Sequence, residues 1–432
     1  MKTAIIGAGL TGLTAGYRLS QKGHEVTIFE EALGLGGLAS AFPVGSESLD
    51  RFYHHIFVSD SELLALIDEL SLDDFLNWYE PKNAIYLENS LFPFTSPLDL
   101  LCFKPLRILS RIRMGLLVIR SKFINDYKPF ECITAREWIV KRSGQDAYDK
   151  VWGPLLKSKF DVDADNVSGT WIWNKFKLRG SSRGKNIAKE QLGYMQGGFI
   201  TLLKGLAEKI QQKGGSIILQ KSVKTISKNQ DGMWEVVTDG GKTLFEQVLF
   251  TASPELLATA CHELPQQYKE SLQAIRLKAN LCLTLELKDR LSPYYWITIA
   301  QDDFPFVLII EHTNLVGLRG YNSHVVYLSR YLDTSDPLFT AGDDEIFLNF
   351  IMGVKKVFPK FEQDNIEKAT LHRARYAQPV VTMGYGKNIP TIKTPLEGLF
   401  LASMPQIYPE DRGLNYAVRL GFQAADEIHK NL

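Results

Sequence analysis

The sequence of 432 residues predicts an α/β fold on three observations. A strand, a glycine-rich turn, a helix and a second strand follow one another over residues 3–29, which is the pattern of a βαβ unit with parallel strands. Apolar runs at residues 247–251 and 398–403 have the length and composition of further buried strands. A helix-rich stretch and a β-rich stretch lie between these pieces. We therefore expect a parallel-sheet domain that the chain leaves and re-enters twice.

The glycines of the first turn indicate what the βαβ unit binds. A strand at residues 3–6 runs into Gly7-x-Gly9-x-x-Gly12. Gly7 permits the tight turn off the strand, and Gly9 lets the backbone approach a pyrophosphate because no Cβ intervenes. Gly12 lets the following helix, expected at residues 13–21, lie close to the sheet. The free N–H groups and the positive dipole end of that helix favour an anion.

An acidic residue completes this unit. The second strand, at residues 25–29, ends at Glu30, about 20 residues beyond the glycines. A carboxylate at this place can hold both ribose hydroxyls of an adenosine and repels a 2′-phosphate. Strand, glycine spacing, helix and acid together predict a dinucleotide site. Its expected contacts in this unit are Gly7, Gly9, Leu10, Thr11, Gly12, Glu30 and Glu31.

A second glycine cluster, at residues 34–39, follows Glu30 directly. The spacing E-x-x-x-x-x-G-G, with Gly36 and Gly37 as the pair, resembles the motif of the flavin amine oxidase, protoporphyrinogen oxidase and phytoene desaturase superfamily, to which UDP-galactopyranose mutase is also related. In that family the paired glycines lie along the FAD pyrophosphate and ribityl chain. The basic residue that often comes next is Leu38 here, which the resemblance places beside the cofactor. The resemblance thus implies that the dinucleotide is FAD.

The resemblance also implies how the chain is divided. It predicts a discontinuous, Rossmann-like FAD-binding domain of the p-hydroxybenzoate hydroxylase and amine oxidase type, made of residues 1–85, 190–262 and 395–432. Residues 86–189 are interpreted as a helical region with a candidate membrane face, because helical periodicity and aromatic residues dominate there. Residues 263–394 are interpreted as a mixed α+β substrate domain that covers a substrate cavity.

The predicted helix and strands that precede residue 263 follow one another in the order found in the family. A helix at residues 200–212 and a strand at 216–219 precede residues 221–226, which resemble the strand whose valine backbone meets the adenine. The resemblance assigns that contact to Val223. A hairpin around residues 239–241 then returns the chain to the parallel sheet. Further on we expect strands at 280–287, 306–311 and 324–331 and helices at 344–357 and 415–430.

Residues 49–57 hold two adjacent histidines at the distance where this superfamily brings its chain past the isoalloxazine ring. The run that begins Tyr53-His54-His55 is similar to the short histidine-containing stretch that the mutase branch places beside the flavin, with His55 as the matching imidazole. Imidazole can donate to a flavin carbonyl or ring nitrogen and titrates near neutrality. We therefore expect Tyr53 and His55 to contact the flavin and the two histidines to be catalytic candidates. The alternative is one core histidine and one surface histidine.

Residues 408–421 occupy the place of the family's C-terminal flavin motif, in which a glycine-containing turn starts the last helix beneath the ring. The helix N–H groups then face N1 and the O2 carbonyl, where negative charge gathers when the flavin is reduced. Arg412 is a catalytic candidate, with a surface ion pair as the alternative. Many relatives carry Gly-Asp after the last strand, where this chain has Ser403-Met404, so the expected contact is Ser403. The expected contacts at the turn are Gly413, Leu414 and Asn415.

The chemistry is expected to come from the cofactor, because no metal-ligand pattern and no nucleophile motif is present in the sequence. The leading interpretation is an FAD-dependent oxidoreductase, an oxidase or desaturase, that takes a hydride from a bulky, partly apolar or conjugated small molecule. One alternative is a mutase-like flavoenzyme that acts on a nucleotide sugar without net redox. A second is a non-catalytic FAD-binding scaffold. The electron acceptor and the oligomeric state are left open.

Composition and one basic stretch bear on partners and location. The chain has 49 acidic and 49 basic residues, which argues against nucleic-acid binding. Its four cysteines form no C-x-x-C pair, so a reducing cytoplasm is the expected location. Residues 104–122 carry six basic residues and no acid, with an apolar stripe at helical spacing. This pattern predicts either peripheral membrane contact through residues 91–122 or an ordinary core-facing helix. The stripe consists of Leu109, Ile112, Leu116 and Ile119.

Overall fold

A computed structural model describes residues 1–181 and 190–430 of the chain. Its central element is a five-stranded sheet in which every strand pairing is parallel. The strands are short and apolar, as expected for a parallel sheet with both faces covered. In their order across the sheet, the strands are Ser216–Ile218, Glu25–Phe29, Lys2–Ile6, Gln247–Phe250 and Leu399–Leu401. The predicted βαβ strands and both returning strands are present.

Helices pack closely against this sheet. The first of them, Leu10–Gln21, begins earlier than the predicted residue 13, because Gly9 is already its N-terminal cap. Gly16 faces the sheet, and a Cβ at that position would lie 2.9 Å from Ile28 Cδ1. The glycine therefore sets how near the helix can lie to the strands. The helices around the sheet are Leu10–Gln21, Ser61–Glu69, Ile200–Gln212, Pro254–Ala260, Gln266–Gln273 and Leu414–His429.

In the described part of the chain, three small antiparallel sheets border the parallel one. The predicted hairpin at residues 239–241 is the turn between the second and third strands of the first of these sheets. That sheet consists of Val223–Lys228, Trp234–Thr238 and Gly241–Phe245. The others are the pair Ala41–Val44 and Glu47–Asp50, and the set Ile56–Phe57, Leu192–Met195 and Leu76–Tyr79.

A seven-stranded mixed sheet forms the second large layer. The three predicted strands are present, and the helix Asp343–Val357 contributes its apolar face to the same core. The single parallel pairing joins Trp296–Ile299 to Asn83–Leu87. The predicted helical region is therefore wrong for residues 86–93, which belong to a hairpin of this sheet. Across the sheet the strands are Ile366–Pro379, Leu277–Leu287, His324–Leu332, Leu308–Glu311, Trp296–Ile299, Asn83–Leu87 and Ser90–Pro93.

The helical region begins at Pro97, after that hairpin, and its residues 182–189 lie outside the described part of the chain. Trp138, Trp152 and Trp171 are buried in its core. Among residues 1–181 and 190–430, no helix combines the length and apolarity that a membrane crossing needs. The helices of the region are Pro97–Cys102, Ile108–Lys122, Ala135–Ser143, Gln145–Ala147, Gly153–Phe160 and Gly169–Ser181, with a π-helical turn at Tyr148–Trp152.

Candidate functional site

The two glycine clusters meet at the carboxyl end of the first strand. The Gly36 N–H donates to the Ala8 carbonyl oxygen at 2.9 Å, and Gly9 pairs with Gly36 in an isolated parallel bridge. Gly7 and Gly36 have φ angles of +108° and +114°, which only glycine adopts without strain. A Cβ on Gly12 would lie 2.1 Å from the Gly7 carbonyl oxygen. These glycines therefore form one continuous surface of bare backbone.

The space in front of Gly9 is open. A Cβ built there would find its nearest neighbour 4.0 Å away, at the Gly36 carbonyl oxygen. Gly37 is similarly open, since a Cβ there would meet only Gly9 Cα at 3.8 Å. Leu10 and Thr11 follow as the first residues of the helix, whose first-turn N–H groups have no partner within the helix. Open backbone at a helix N-terminus fits the pyrophosphate of a dinucleotide.

Glu30 is anchored to the same turn. Its Oε2 accepts from the Ala8 N–H at 2.7 Å and its Oε1 accepts from the Ala32 N–H at 2.9 Å. Each carboxylate oxygen keeps a further lone pair, which a ribose hydroxyl can use. The Lys221 N–H donates to the Glu30 carbonyl oxygen at 2.8 Å, and Val223 follows at the start of the next strand. The predicted ribose and adenine contacts thus adjoin the glycine surface.

The other predicted cofactor contacts near the glycine surface differ from one another in burial and in hydrogen bonding. Leu38 is half-buried and lines the cavity described below. Glu31 is exposed, and no side-chain hydrogen bond of it is found in the described structure. Ser403 is buried, and its N–H donates to Gln406 Oε1 at 2.6 Å in a reciprocal cap of a short 3-10 turn. Ser403 therefore fixes the turn after the last strand.

The last helix begins where the C-terminal motif predicts. Gly413 is its exposed cap and Leu414 its first, buried residue. The Asn415 side chain is engaged elsewhere, because its Oδ1 accepts from the Leu63 N–H at 2.9 Å and its Nδ2 donates to Glu62 Oε2 at 2.8 Å. Asn415 thus joins the helix to Ser61–Glu69, and its backbone, rather than its amide, is left for a ligand.

A cavity brings several predicted residues together. His54 Nδ1 and Asn280 Oδ1 are buried, and neither has a hydrogen-bond partner among the residues that the structure describes. Burial, reinforced by Arg412, lowers the pKa of His54 to about 3, so the imidazole is neutral. His55 lies apart, with its Nδ1 3.4 Å from the Tyr295 hydroxyl. The cavity is lined by Leu38, Phe52, Tyr53, His54, Asn280, Tyr331, Ala377 and Arg412.

Arg412 belongs to this cavity and not to a surface ion pair. Its Nη2 donates to the Tyr331 hydroxyl at 2.5 Å and its Nε donates to Gln378 Oε1 at 2.9 Å. Gln378 Nε2 in turn donates to Asp411 Oδ1 at 3.0 Å. Among residues 1–181 and 190–430, no carboxylate lies within ion-pair distance of the Arg412 guanidinium.

Two lysines that the sequence did not single out complete the cluster. Lys159 Nζ lies 3.1 Å and Lys175 Nζ 2.5 Å from Asp411 Oδ2. Burial would raise the pKa of Asp411, but the adjacent lysines hold it well below its usual range. Burial also lowers the pKa of Lys175, to about 8. The sequence carries one signal for Lys175, which stands inside the aromatic run that starts at Trp171. A charged residue is rare on a buried helix face.

The arrangement can hold a dinucleotide along the glycines and a second molecule beside the cavity. No group of three or more His, Cys, Asp or Glu side chains able to hold a metal ion occurs in the described ranges.

Comparisons with known proteins agree with this geometry. A model of the family "Flavin containing amine oxidoreductase" matches residues 10–429. A zeta-carotene desaturase of Arabidopsis thaliana is 21% identical over 458 residues, covering 93% of this chain and 80% of the relative. A putative protoporphyrinogen oxidase from Exiguobacterium has a similar structure, with a TM-score of 0.81, 17% identity and coverage of 100% and 99%. A reduced UDP-galactopyranose mutase gives a TM-score of 0.75 at 14% identity, with coverage of 99% and 95%.

Proposed function

The chain belongs to the family of flavin-containing amine oxidoreductases and is an FAD-dependent oxidoreductase, and from this premise we propose that it takes a hydride from a bulky, partly apolar or conjugated small molecule. The observation that carries the proposal is the junction of an open glycine surface with a cavity whose lining includes the aromatic side chains of Phe52, Tyr53 and Tyr331. Similarity to a zeta-carotene desaturase over most of both chains supports an apolar substrate.

We propose that FAD lies along the glycine surface. The open backbone at Gly9 and Gly37 would receive the pyrophosphate, and the remaining lone pairs of Glu30 would receive the ribose hydroxyls. The backbone of Val223 would contact the adenine, as the family resemblance implies. The N-terminus of the last helix, at Gly413, would direct its N–H groups toward the flavin ring. The remaining cofactor contacts of this proposal are Gly7, Leu10, Thr11, Gly12, Glu31, Gly36, Leu38, Tyr53, His55, Ser403, Leu414 and Asn415.

When bound, FAD supplies the hydride acceptor. The protein's own groups orient the substrate and exclude water. His54 is neutral across the physiological range because burial lowers its pKa to about 3, so its imidazole can accept or donate a hydrogen bond without carrying charge. Arg412 stays charged and is held by Tyr331 and Gln378, so it can fix the position of a polar group in the cavity. These roles for His54 and Arg412 belong to the proposal, as does a role for His55.

The proposal is tested on purified protein. We expect a yellow protein that releases FAD on denaturation, and we expect anaerobic addition of a true substrate to bleach the flavin absorbance. A screen of bulky apolar and conjugated compounds, followed by that bleaching, identifies the substrate. Stopped-flow mixing of the reduced protein with oxygen then separates an oxidase from a desaturase that uses another acceptor. Colourless protein that does not take up added FAD would refute the proposal.

We also propose peripheral membrane contact through residues 91–122. In Ile108–Lys122 the predicted apolar stripe faces outward: Leu109 is 65% exposed and Ile119 60% exposed. The inward side instead carries Met114 and Leu117. A stripe of large apolar side chains on the surface is unusual for a helix that only packs on a core. Further exposed apolar side chains of this area are Leu98, Leu101, Ile108, Ile112, Leu116 and Phe123.

Charge beside the stripe favours an anionic bilayer as its partner. Arg113, Arg120, Lys141 and Arg142 line a groove next to Leu116. Basic side chains beside exposed apolar ones match the phosphate and acyl layers of a membrane surface. We expect flotation with vesicles that contain anionic lipid and weaker flotation with neutral vesicles. No lipid-dependent flotation would refute the contact. A cytoplasmic location at the inner face of a membrane is part of this proposal.

The mutase-like alternative receives no comparable support. The likeness to a UDP-galactopyranose mutase is one of fold, at 14% identity.

A further inference from the structure

The cluster around Asp411 carries more positive than negative charge. Lys159 and Lys175 both pair with Asp411, while Arg412 reaches it only through Gln378. Within the described ranges, Asp411 is the one carboxylate at ion-pair distance from either lysine, and none lies at that distance from Arg412, so three cations are gathered around one anion. Charges inside a protein are normally paired, because an unpaired one is costly to remove from water.

A second ionic cluster of the same chain shows the usual balance. Lys278 is fully buried between Asp163 and Asp333, at 2.9 Å and 2.7 Å. Arg276 pairs with the same two carboxylates. Two cations thus meet two anions there. The excess charge at Asp411 is therefore not a general property of the ionic clusters between the helical region and the mixed sheet.

The two lysines are inside the fold yet reachable from outside. Lys159 lies on Gly153–Phe160, which packs against strands His324–Leu332 and Trp296–Ile299. The Lys159 and Lys175 side chains keep 20% and 29% of their surface accessible, against 4% for Asp411. The ammonium groups thus border solvent-accessible space, while the carboxylate that pairs with them is shielded. An incoming anion would meet the lysines first.

Aromatic rings surround these ammonium groups and connect them to the cavity. Each ammonium nitrogen lies 5.2 Å from the centre of the Trp171 ring. The centre of the Tyr331 ring lies 5.9 Å from the Lys159 ammonium nitrogen and 5.6 Å from the Arg412 guanidinium carbon. Tyr331 also lines the cavity with Tyr53. Apolar surface and net positive charge therefore adjoin at one place, which suits a molecule with an aromatic or aliphatic body and an acidic end.

We propose that Lys159 and Lys175 form a carboxylate-binding subsite, so that the substrate of this enzyme is an amphipathic acid. The carboxylate would pair with the accessible sides of the two ammonium groups and bring the local charge closer to balance. This inference rests on the proposed flavoenzyme function and narrows its substrate class. A purely hydrocarbon substrate would leave the excess charge uncompensated.

The test compares an acid with its neutral amide on the purified holoenzyme. The probes are 4-phenylbutyrate and 4-phenylbutyramide, titrated at pH 7 and followed by tryptophan fluorescence and by the flavin absorbance. We expect the wild-type protein to bind the acid about tenfold more tightly than the amide, as a charge-assisted contact provides. Lys159→Gln and Lys175→Gln should each remove most of this preference, and Lys175→Arg should retain it.

Matched controls lie two residues away on the same helices. Lys157 pairs with Asp302 at the surface, and Lys177 lies over Trp173, so Lys157→Gln and Lys177→Gln remove equal charge outside the subsite. Equal binding of acid and amide by the wild type would overturn the inference. So would loss of the preference in the control variants as well. A third contrary result is a lowered flavin midpoint potential in the Lys→Gln variants while their preference for the acid is unchanged. That result would assign the positive charge of the lysines to the reduced flavin and would also overturn the inference.

The tryptophan signal keeps the two proposals separable. Trp171 adjoins both ammonium groups, so quenching by the acid is measurable whether or not flavin is bound. Protein that lacks FAD but prefers the acid would refute the flavoenzyme proposal alone. Yellow protein without the preference would refute the subsite alone.

Discussion

Glu30 Oε2 accepts a hydrogen bond from the Ala8 N–H at 2.7 Å, so the acid at the end of the second strand is bound to the glycine turn at the end of the first. Its Oε1 is held by the Ala32 N–H at 2.9 Å. The carboxylate therefore has two roles. It accepts the Ala8 and Ala32 N–H groups with one lone pair on each oxygen, and it presents the remaining lone pairs to the ligand.

We expect Glu30→Gln to weaken FAD binding about tenfold, because the amide nitrogen cannot accept the backbone N–H and the charge that strengthens the ribose contacts is lost. Fluorescence quenching during titration of the deflavinated protein with FAD measures the effect. Glu25→Gln is the matched control, because Glu25 is exposed at the start of the same strand and is not a proposed cofactor contact. Equal weakening by both substitutions would contradict the assignment of Glu30 to the ribose.

Gly9→Val should abolish FAD retention while leaving the fold intact. The backbone of Gly9, with φ −71° and ψ 173°, suits any residue, and the nearest protein atom to a Cβ is 4.0 Å away. The valine would thus fill the space that we assign to the pyrophosphate. The flavin-to-protein absorbance ratio should fall to near zero with an unchanged far-UV circular dichroism spectrum.

Gly12→Val is the comparison variant, because a Cβ there would lie 2.1 Å from the Gly7 carbonyl oxygen. It should lower the yield of folded protein as well as the flavin content. Full flavin content in Gly9→Val would contradict the proposed path of the cofactor.

Asp411→Asn should destabilise the protein by about 3 kcal/mol, because it leaves Lys159 and Lys175 without their carboxylate. Urea unfolding followed by tryptophan fluorescence measures the loss. Asp302→Asn removes a carboxylate from an exposed pair with Lys157 and should cost less than about 1 kcal/mol. A smaller loss in Asp411→Asn than in the control would mean that the cluster is not held by this carboxylate.

Binding of 4-phenylbutyrate should depend on pH through Lys175, whose pKa burial lowers to about 8. The ammonium form predominates below that pKa, so the preference for the acid should be fully present at pH 6 to 7 and should decline as the pH rises through about 8. The amide should bind with little change across this range. A preference that persists to pH 10 would exclude Lys175 as the titrating partner.

Vesicle binding should be lost when the outward stripe becomes acidic. We expect the double variant Ile112→Glu/Leu116→Glu to abolish flotation with anionic vesicles, because it replaces apolar contact by charge repulsion. Leu348→Glu/Met352→Glu is the matched control, since these two side chains have the same spacing on another helix and are 55% and 61% exposed. Loss of flotation in both would indicate a general effect of charge, not contact through the stripe.

Local patterns predicted the parallel sheet well, because its strands and turns are specified by short-range chemistry. Glycine spacing located the turn at Gly7, and continuous apolar runs located Gln247–Phe250. The strand Ile366–Pro379 was missed, since it lies at an edge of its sheet and carries many charged, partly exposed side chains. The hairpin that includes residues 86–93 was not predicted either, because its first strand, Asn83–Leu87, joins the sheet through Trp296–Ile299, which is distant in sequence.

The residues of the candidate site also divide into those that a local pattern predicts and those that only the packing brings together. Motif residues such as Gly9 and Glu30 could be named from spacing alone, whereas Lys159 and Lys175 could not. Two helices separate in sequence bring these lysines to one carboxylate, and that meeting depends on packing. The sequence also leaves Arg412 with two interpretations, and the contacts of its guanidinium with Gln378 and Tyr331 exclude the surface ion pair alone.

The pairing of Asn83–Leu87 with Trp296–Ile299 affects the order in which the protein can assemble during synthesis. The hairpin leaves the ribosome about two hundred residues before its partner strand, so its inner edge stays unsatisfied for a large part of translation. The nascent chain thus exposes an open β-edge over a long interval. Chaperone dependence and sensitivity to translation rate should therefore concentrate on this hairpin.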